Sequence, residues 1–170
     1  MKRILEGAIL VMVLSMAPSV KAQANSMSYI PTAQETGIPE NIYQYCEIVG
    51  NEFNICPELL MAMAERESRC DPAATNGSCK GLMQVNASCH KQRFIEMGWS
   101  PDDWDNAYMN LYVAGDYLHD LFEDYDDPGT VLMVYHGESN AVSKGKAGNL
   151  SKYAQGILNR SYELERAHGK

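Results

Sequence analysis

A chain of 170 residues suits one domain and can bury one core, and its 45% apolar content is that of a globular protein rather than a disordered one. The formal net charge is -8, with no basic stripe, which argues against nucleic acid as a partner. The one short cationic cluster, Lys144 with Lys146, is too small to change that.

The first residues read as a secretory signal. Lys2 and Arg3 form a basic n-region, and Gly7 to Ala17 is an apolar run of the right length, with Glu6 an unwelcome charge beside it. Val20 and Ala22 fit a small-residue cleavage rule, with Ala24 as a second choice. Residues 1–22 are therefore expected to be a cleaved signal peptide and the protein to be secreted, into the cell wall, periplasm or medium. As an uncleaved membrane anchor the run would be short. Residues 23–38, rich in Ala, Ser, Gln and Thr, are expected to be an exposed leader, and 39–168 the single domain.

From Pro39 the pattern turns helical. Ile42, Tyr45, Cys46 and Val49 share one helix face, and Gly50 with Asn51 is expected to close that helix. Pro57 stands at the favoured first position of the next helix, whose buried stripe is Leu60, Met63 and Ala64. Residues 70–80 read as a loop, with Asp71-Pro72 and Asn76-Gly77 as turn formers, and a short apolar piece runs from Gly81 to Val85. A helix is expected over Ser88 to Met97, stopped by Gly98. Ser100-Pro101-Asp102-Asp103 is a helix-start signature, and the longest helix is expected over about Asp105 to Tyr125. Asp126-Asp127-Pro128-Gly129 breaks it. Thr130 to Tyr135 is helical by context, a Gly-, Ser- and Lys-rich loop follows, and the last helix covers about Ser151 to Arg166. No alternating stretch is convincing, so the fold class is α.

Five cysteines are present: Cys46, Cys56, Cys70, Cys79 and Cys89. Export would permit disulfides, and the odd count leaves at least one thiol without an intramolecular partner. Cys70 and Cys79 flank a short polar loop and form the favoured pair, buried free thiols being the alternative. No C-x-x-C pair occurs, so no metal site is expected.

Glu67 is the informative position. It follows Leu60 by seven residues, Met63 by four and Ala64 by three, which puts its carboxyl on the apolar face of its own helix, whereas Glu65 should face water. Burial and the negative end of a helix both disfavour the charged form, and a carboxyl that keeps its proton near neutral pH can protonate a leaving group. By periodicity alone, an inward Glu can equally pair with an Arg or cap a loop.

The neighbouring residues add to this. Glu67-Ser68, a polar loop, Gly81-Leu82-Met83-Gln84, Asn110 with Gly115 and Tyr117-Leu118, then Tyr135 and Tyr153 follow in that order. This resembles the soluble lytic transglycosylase (SLT) domain, a lysozyme-like family that cleaves peptidoglycan, over about residues 40–165. The resemblance implies an all-helical lysozyme-like fold in which Glu67 is catalytic acid and base. It makes Ser68 a residue that orients the site or an acetamido group, and puts Gly81, Met83 and Gln84 on the cleft wall. Tyr135 and Tyr153 would close the site; each alone could be a core aromatic. Asn110 would tie a loop and Gly115 would allow close helix packing. The family usually reads Tyr-Asn-x-Gly where this chain has Tyr135-His136-Gly137, so His136 stands in place of the Asn.

Glycosidases commonly use two carboxylates. Asp71 lies in the loop, and Asp124, Asp126 and Asp127 belong to a turn that fails as a calcium loop, because Tyr135 stands where the closing Glu is required. One acid suffices if the substrate supplies its own nucleophile. The resemblance implies such a lyase reaction: cleavage of the β-1,4 bond between N-acetylmuramic acid and N-acetylglucosamine, with a 1,6-anhydro ring formed by the muramic C6 hydroxyl. No cofactor is implied. Expected partners are peptidoglycan glycan strands, with a secretion or conjugation machine as a further setting, and the chain is expected to act as a monomer. The alternatives are a goose-type lysozyme, which would use water, and an inactive wall-binding module.

Overall fold

The computed structural model describes residues 36–170. The expected signal peptide and nearly all of the leader lie outside the described residues. The end of that leader is not exposed: Ile38 is buried in the core, and the Arg160 guanidinium donates to the carbonyl of Thr36 at 2.7 Å. An apolar Ile next to the first helix gains more from burial than from solvent, so packing starts ahead of Pro39.

Among the described residues the fold is mostly helical, as the pattern predicts. Helix α1 is Glu40–Phe53 and α2 is Pro57–Ser68. Gly50 and Asn51 do not end α1. It continues to Phe53, and Asn54 takes the left-handed cap at φ 54. Gly50 serves another purpose, since a Cβ there would lie 2.6 Å from the Ile55 carbonyl and 2.9 Å from the Pro57 ring. The tight α1–α2 corner needs the missing side chain.

Helix α2 is the centre of the molecule. Leu59, Leu60, Met61, Ala62, Met63 and Ala64 are all buried, so the helix is apolar all round and not only along the stripe Leu60, Met63, Ala64. A helix of that kind has to be covered on every side. Helix α1 and the last helix, α7 (Lys152–Ala167), supply much of the cover.

Between α2 and the next helix lies a feature the pattern does not predict. Three two-residue strands, β1 (Thr75–Asn76), β2 (Cys79–Lys80) and β3 (Val85–Asn86), pair antiparallel, with Asn76 opposite Cys79 and Lys80 opposite Val85. Strands this short have no visible alternation; only the Asn76-Gly77 turn signals the first hairpin.

Helix α3 is Lys91–Glu96, shorter than expected, with Gly98 beyond it at φ 79. Ser100 caps a 3₁₀ turn over Pro101–Asp105 through a reciprocal box with Asp103. Helix α4, Ala107–Asp124, starts at Asn106, whose side chain accepts from the Met109 N–H. Its Gly115 meets α1 closely: a Cβ there would lie 2.6 Å from Val49 and 2.9 Å from Phe53. Helix α5, Pro128–Tyr135, is capped by Asp127. The Gly- and Lys-rich segment expected as a loop contains helix α6, Ala141–Lys146. Ser151 caps α7.

The expected Cys70–Cys79 pairing is corrected. All five cysteines are free thiols. Cys70 packs against the core, and burial pushes its thiol up to about 11. Cys79 sits across the hairpin from Asn76 and lines the cleft, so the two sulfurs serve different surroundings.

Candidate active site

Helix α2 leaves the core one turn before its end, and there its sequence changes from apolar to Glu65-Arg66-Glu67-Ser68. Glu65 turns outward and receives the Arg160 Nε–H at 2.7 Å. Glu67 turns into a cavity of about 460 Å³, lined also by Arg66, Ser68, Arg69, Thr75, Asn76, Cys79, Gln84, Tyr135 and His136. Glu67 is the one Asp or Glu among the lining residues.

The carboxyl of Glu67 is held from α7. The phenol of Tyr153, itself buried, donates to Glu67 Oε1. Burial pushes the Glu67 carboxyl above its ordinary value. The Tyr153 hydrogen bond and the nearby His136 and Arg66 pull the other way without cancelling that rise. The Tyr153 phenol is itself raised, by burial and by the Glu67 charge, so it remains a donor. The His136 ring stacks on Tyr153 with centroids 3.9 Å apart and planes 7° from parallel. Glu138 meets the His136 Nδ1 at 3.5 Å.

The segment after β2 forms the opposite side. The Asn110 side chain ties it: its Oδ1 accepts from the Met83 N–H at 2.8 Å and its Nδ2 donates to the Lys80 carbonyl at 3.1 Å. The Tyr135 phenol donates to the Met83 carbonyl at 2.8 Å. Met83 itself is fully buried, and Gly81 is buried against Asn110 and Trp104. These two therefore do not line the cavity, contrary to the expectation from resemblance. An unbranched apolar side chain fills the core beneath the wall better than it faces water. A left-handed Gly81, φ 80, lets the backbone approach Asn110 where a Cβ would collide. Gln84 does reach the cavity, and its amide nitrogen donates to the carbonyls of Ala74 and Gly81. The Ser68 hydroxyl donates back to the Ala64 carbonyl at 3.1 Å, and Ser68 lines the cavity with its acceptor capacity unspent.

The structure thus brings Glu67, Ser68, Gln84, Tyr135 and Tyr153 together. It adds residues that sequence reasoning did not place there: Arg66, Arg69, Thr75, Asn76 and Cys79. The two arginines had a visible signal, since they flank Glu67-Ser68 in the chain; Thr75 and Asn76 arrive only through the hairpin. Cys79, Gln84 and Tyr135 also border a second cavity of about 340 Å³, which extends to Tyr117 and His90, whose rings lie 4.5 Å apart. Among the described residues, no group of three or more His, Cys, Asp or Glu could hold a metal ion, and no helix is long and apolar enough to cross a membrane.

Comparison with known proteins bears on the family of the chain. The chain is 27% identical over 106 residues to a transglycosylase of Enterobacteria phage PRD1, a stretch covering 60% of this chain and 38% of the phage protein. It is 28% identical over 117 residues to protein IpgF of Shigella flexneri, covering 65% of this chain and 74% of that protein. The chain thus spans well under half of the phage protein. No solved structure matches. The family described as the transglycosylase SLT domain matches residues 44–157, which include α2, the hairpin, Tyr135 and Tyr153. The chain belongs to the transglycosylase SLT domain family.

Proposed function

We propose that this chain is a peptidoglycan lytic transglycosylase with Glu67 as its catalytic acid and base. The observation that carries the reading is a single carboxyl, raised in pKa, held by the Tyr153 phenol and facing a cleft whose other lining residues include no carboxylate. An inverting hydrolase needs a second carboxylate roughly 6.5–9.5 Å away to activate water, and a retaining one needs a carboxylate nucleophile at about 5 Å. With one acid, the nucleophile has to come from elsewhere.

The reaction then runs in balance. Protonated Glu67 gives its proton to the glycosidic oxygen between N-acetylmuramic acid and N-acetylglucosamine, and the C1–O bond breaks. The Glu67 carboxylate takes the proton of the muramic C6 hydroxyl, whose oxygen bonds to C1 and closes a 1,6-anhydro ring. No water is consumed and Glu67 ends protonated. Ser68, with its hydrogen committed to Ala64, can accept an acetamido N–H. Tyr135 fixes the Met83 carbonyl and with it the wall that carries Gln84. His136, in the place of the family's usual Asn, covers the Tyr153 ring. The chain works as an exported monomer, with residues 1–22 removed and 39–168 as the catalytic domain, on glycan strands of the wall.

A goose-type lysozyme would use the same acid with water. The product decides: purified sacculi are digested and the muropeptides weighed. Anhydro ends, one water lighter than hydrolysis products, are expected. Reducing muramic ends would select the hydrolase, and intact strands would select a binding module.

A further inference from the structure

The chain is acidic overall, yet the mouth of its cleft is not. Besides Glu67, the charged residues lining the cavity are Arg66 and Arg69, both exposed. Among the described residues neither forms a salt bridge, and the carboxyl that feels Arg66 is Glu67 in the same cavity. Arg93 and Arg160, by contrast, are both paired, the first with Asp116 and Asp120, the second with Glu65 and Glu163. Glu65, one residue before Arg66 and four before Arg69, is already occupied by Arg160. Arg66 is instead steadied over the Tyr153 ring, 5.8 Å from its centroid.

The backbone at Arg69 is informative. It ends α2 in the left-handed region at φ 58, followed by Cys70 at φ 62, with the Cys70 N–H returning to the Ala64 carbonyl at 3.1 Å. Glycine would make this cap without strain, whereas a residue with a Cβ does so at an energetic cost. Gln84, on the opposite side of the same cavity, is also left-handed at φ 50. Unfavourable backbone conformations gather where a side chain is needed at one place.

We propose that Arg66 and Arg69 form a carboxylate-binding lip on the cleft, which selects glycan strands carrying anionic substituents beside the bond that is cut. The inference rests on the glycan-cleaving reading above and names the substrate form that the site takes. A guanidinium presents a planar fork of donors that matches a carboxylate in two parallel hydrogen bonds. On peptidoglycan that carboxylate is either the lactyl group of muramic acid or the acid groups of an attached peptide. Both share one chemistry. A neutral chito-oligosaccharide has neither.

The test uses the full chain as Glu67→Gln, which cannot turn over. It is compared with the same chain carrying Arg66→Gln and Arg69→Gln as well. Dissociation constants are measured at low salt for three probes: a peptide-bearing muramyl tetrasaccharide, the same sugar stripped by an amidase, and chitotetraose. The arginine substitutions should weaken binding of the carboxylate probes about tenfold, less at high salt, and leave chitotetraose unchanged. Loss confined to the peptide-bearing probe assigns the lip to peptide carboxylates, and loss confined to the stripped one to the lactyl group. Equal loss on all three probes, or loss on none, overturns the lip while the cleft reading stands. A Glu67→Gln chain that binds none of the three overturns both.

Discussion

The phenol of Tyr153 hydrogen-bonds the carboxyl of Glu67 across the boundary between the last helix and the central one. Glu67 thereby has a fixed orientation although it stands at the frayable end of α2. Tyr153→Phe removes one donor without leaving a hole. Because that bond favours the charged carboxylate, its loss pushes the Glu67 pKa further up. The high-pH limb of the rate profile should move to higher pH while kcat falls about tenfold, as read from a pH series on sacculi.

Glu67→Gln tests the acid itself. The amide is cheaper to bury than a charge, so the variant should fold normally. Turnover should drop by at least roughly 10²–10⁴-fold. In the wild type, Glu67 is raised, so its proton persists above the usual carboxylate range and activity falls as pH rises through the raised value. NMR titration of Glu67 checks the sign: a value at or below about 4.3 contradicts the burial argument.

Asn110→Ala should act on both stability and rate. It strands the buried Met83 N–H and one acceptor position of Lys80, for about 2–4 kcal/mol in a thermal or denaturant melt. The same loss loosens the segment that Tyr135 grips through the Met83 carbonyl. The residual folded enzyme should show lowered kcat.

Gly115→Ala drives a methyl into Val49 and Phe53. The α1–α4 contact has to open by several tenths of an ångström, at about 1–3 kcal/mol. Since Gly115 packs against α1 and does not line the cleft, kcat of the folded fraction should stay near wild type, and the melting temperature should carry the effect.

Glu58 sets the acid limit of the fold. Burial alone would raise its carboxyl, but hydrogen bonds from Lys170, Cys56 and His168 outweigh that and hold it at about 2, below its ordinary 4.5. A depressed carboxyl stabilises above its unfolded value and loses that contribution as pH falls from about 4.5 toward 2. Glu58→Gln should flatten the acid limb of a stability-against-pH curve, with about 2–3 kcal/mol lost at neutral pH.

What could be read from the sequence depended on distance along the chain. The helical phase of Leu60, Met63 and Ala64 sufficed to turn Glu67 inward, and Pro57, Ser100 and Ser151 marked their starts because capping is local. The hairpin was not legible, since two-residue strands have no period to read. Nor was the full burial of α2, which depends on what α1 and α7 bring to it. Met83 belongs to a motif that resemblance puts on the cleft wall, yet the motif does not say which of its side chains faces in. The hydrogen bond from the Met83 N–H to the Asn110 side chain, 27 residues away, decides that.

Glu58 and Glu67 stand at opposite ends of one twelve-residue helix. The first is matched by His168 and Lys170, more than a hundred residues later, and the second by Tyr153. A nascent chain that has reached residue 150 therefore has its central helix written, but Glu58 still lacks His168 and Lys170, and Glu67 lacks Tyr153. Until the remainder emerges, packing α2 would bury Glu58 without its hydrogen bonds from His168 and Lys170. The cleft is consequently assembled late, only once α7 has emerged, and a ribosome-bound or truncated fragment lacking α7 carries Glu67 in an unassembled site.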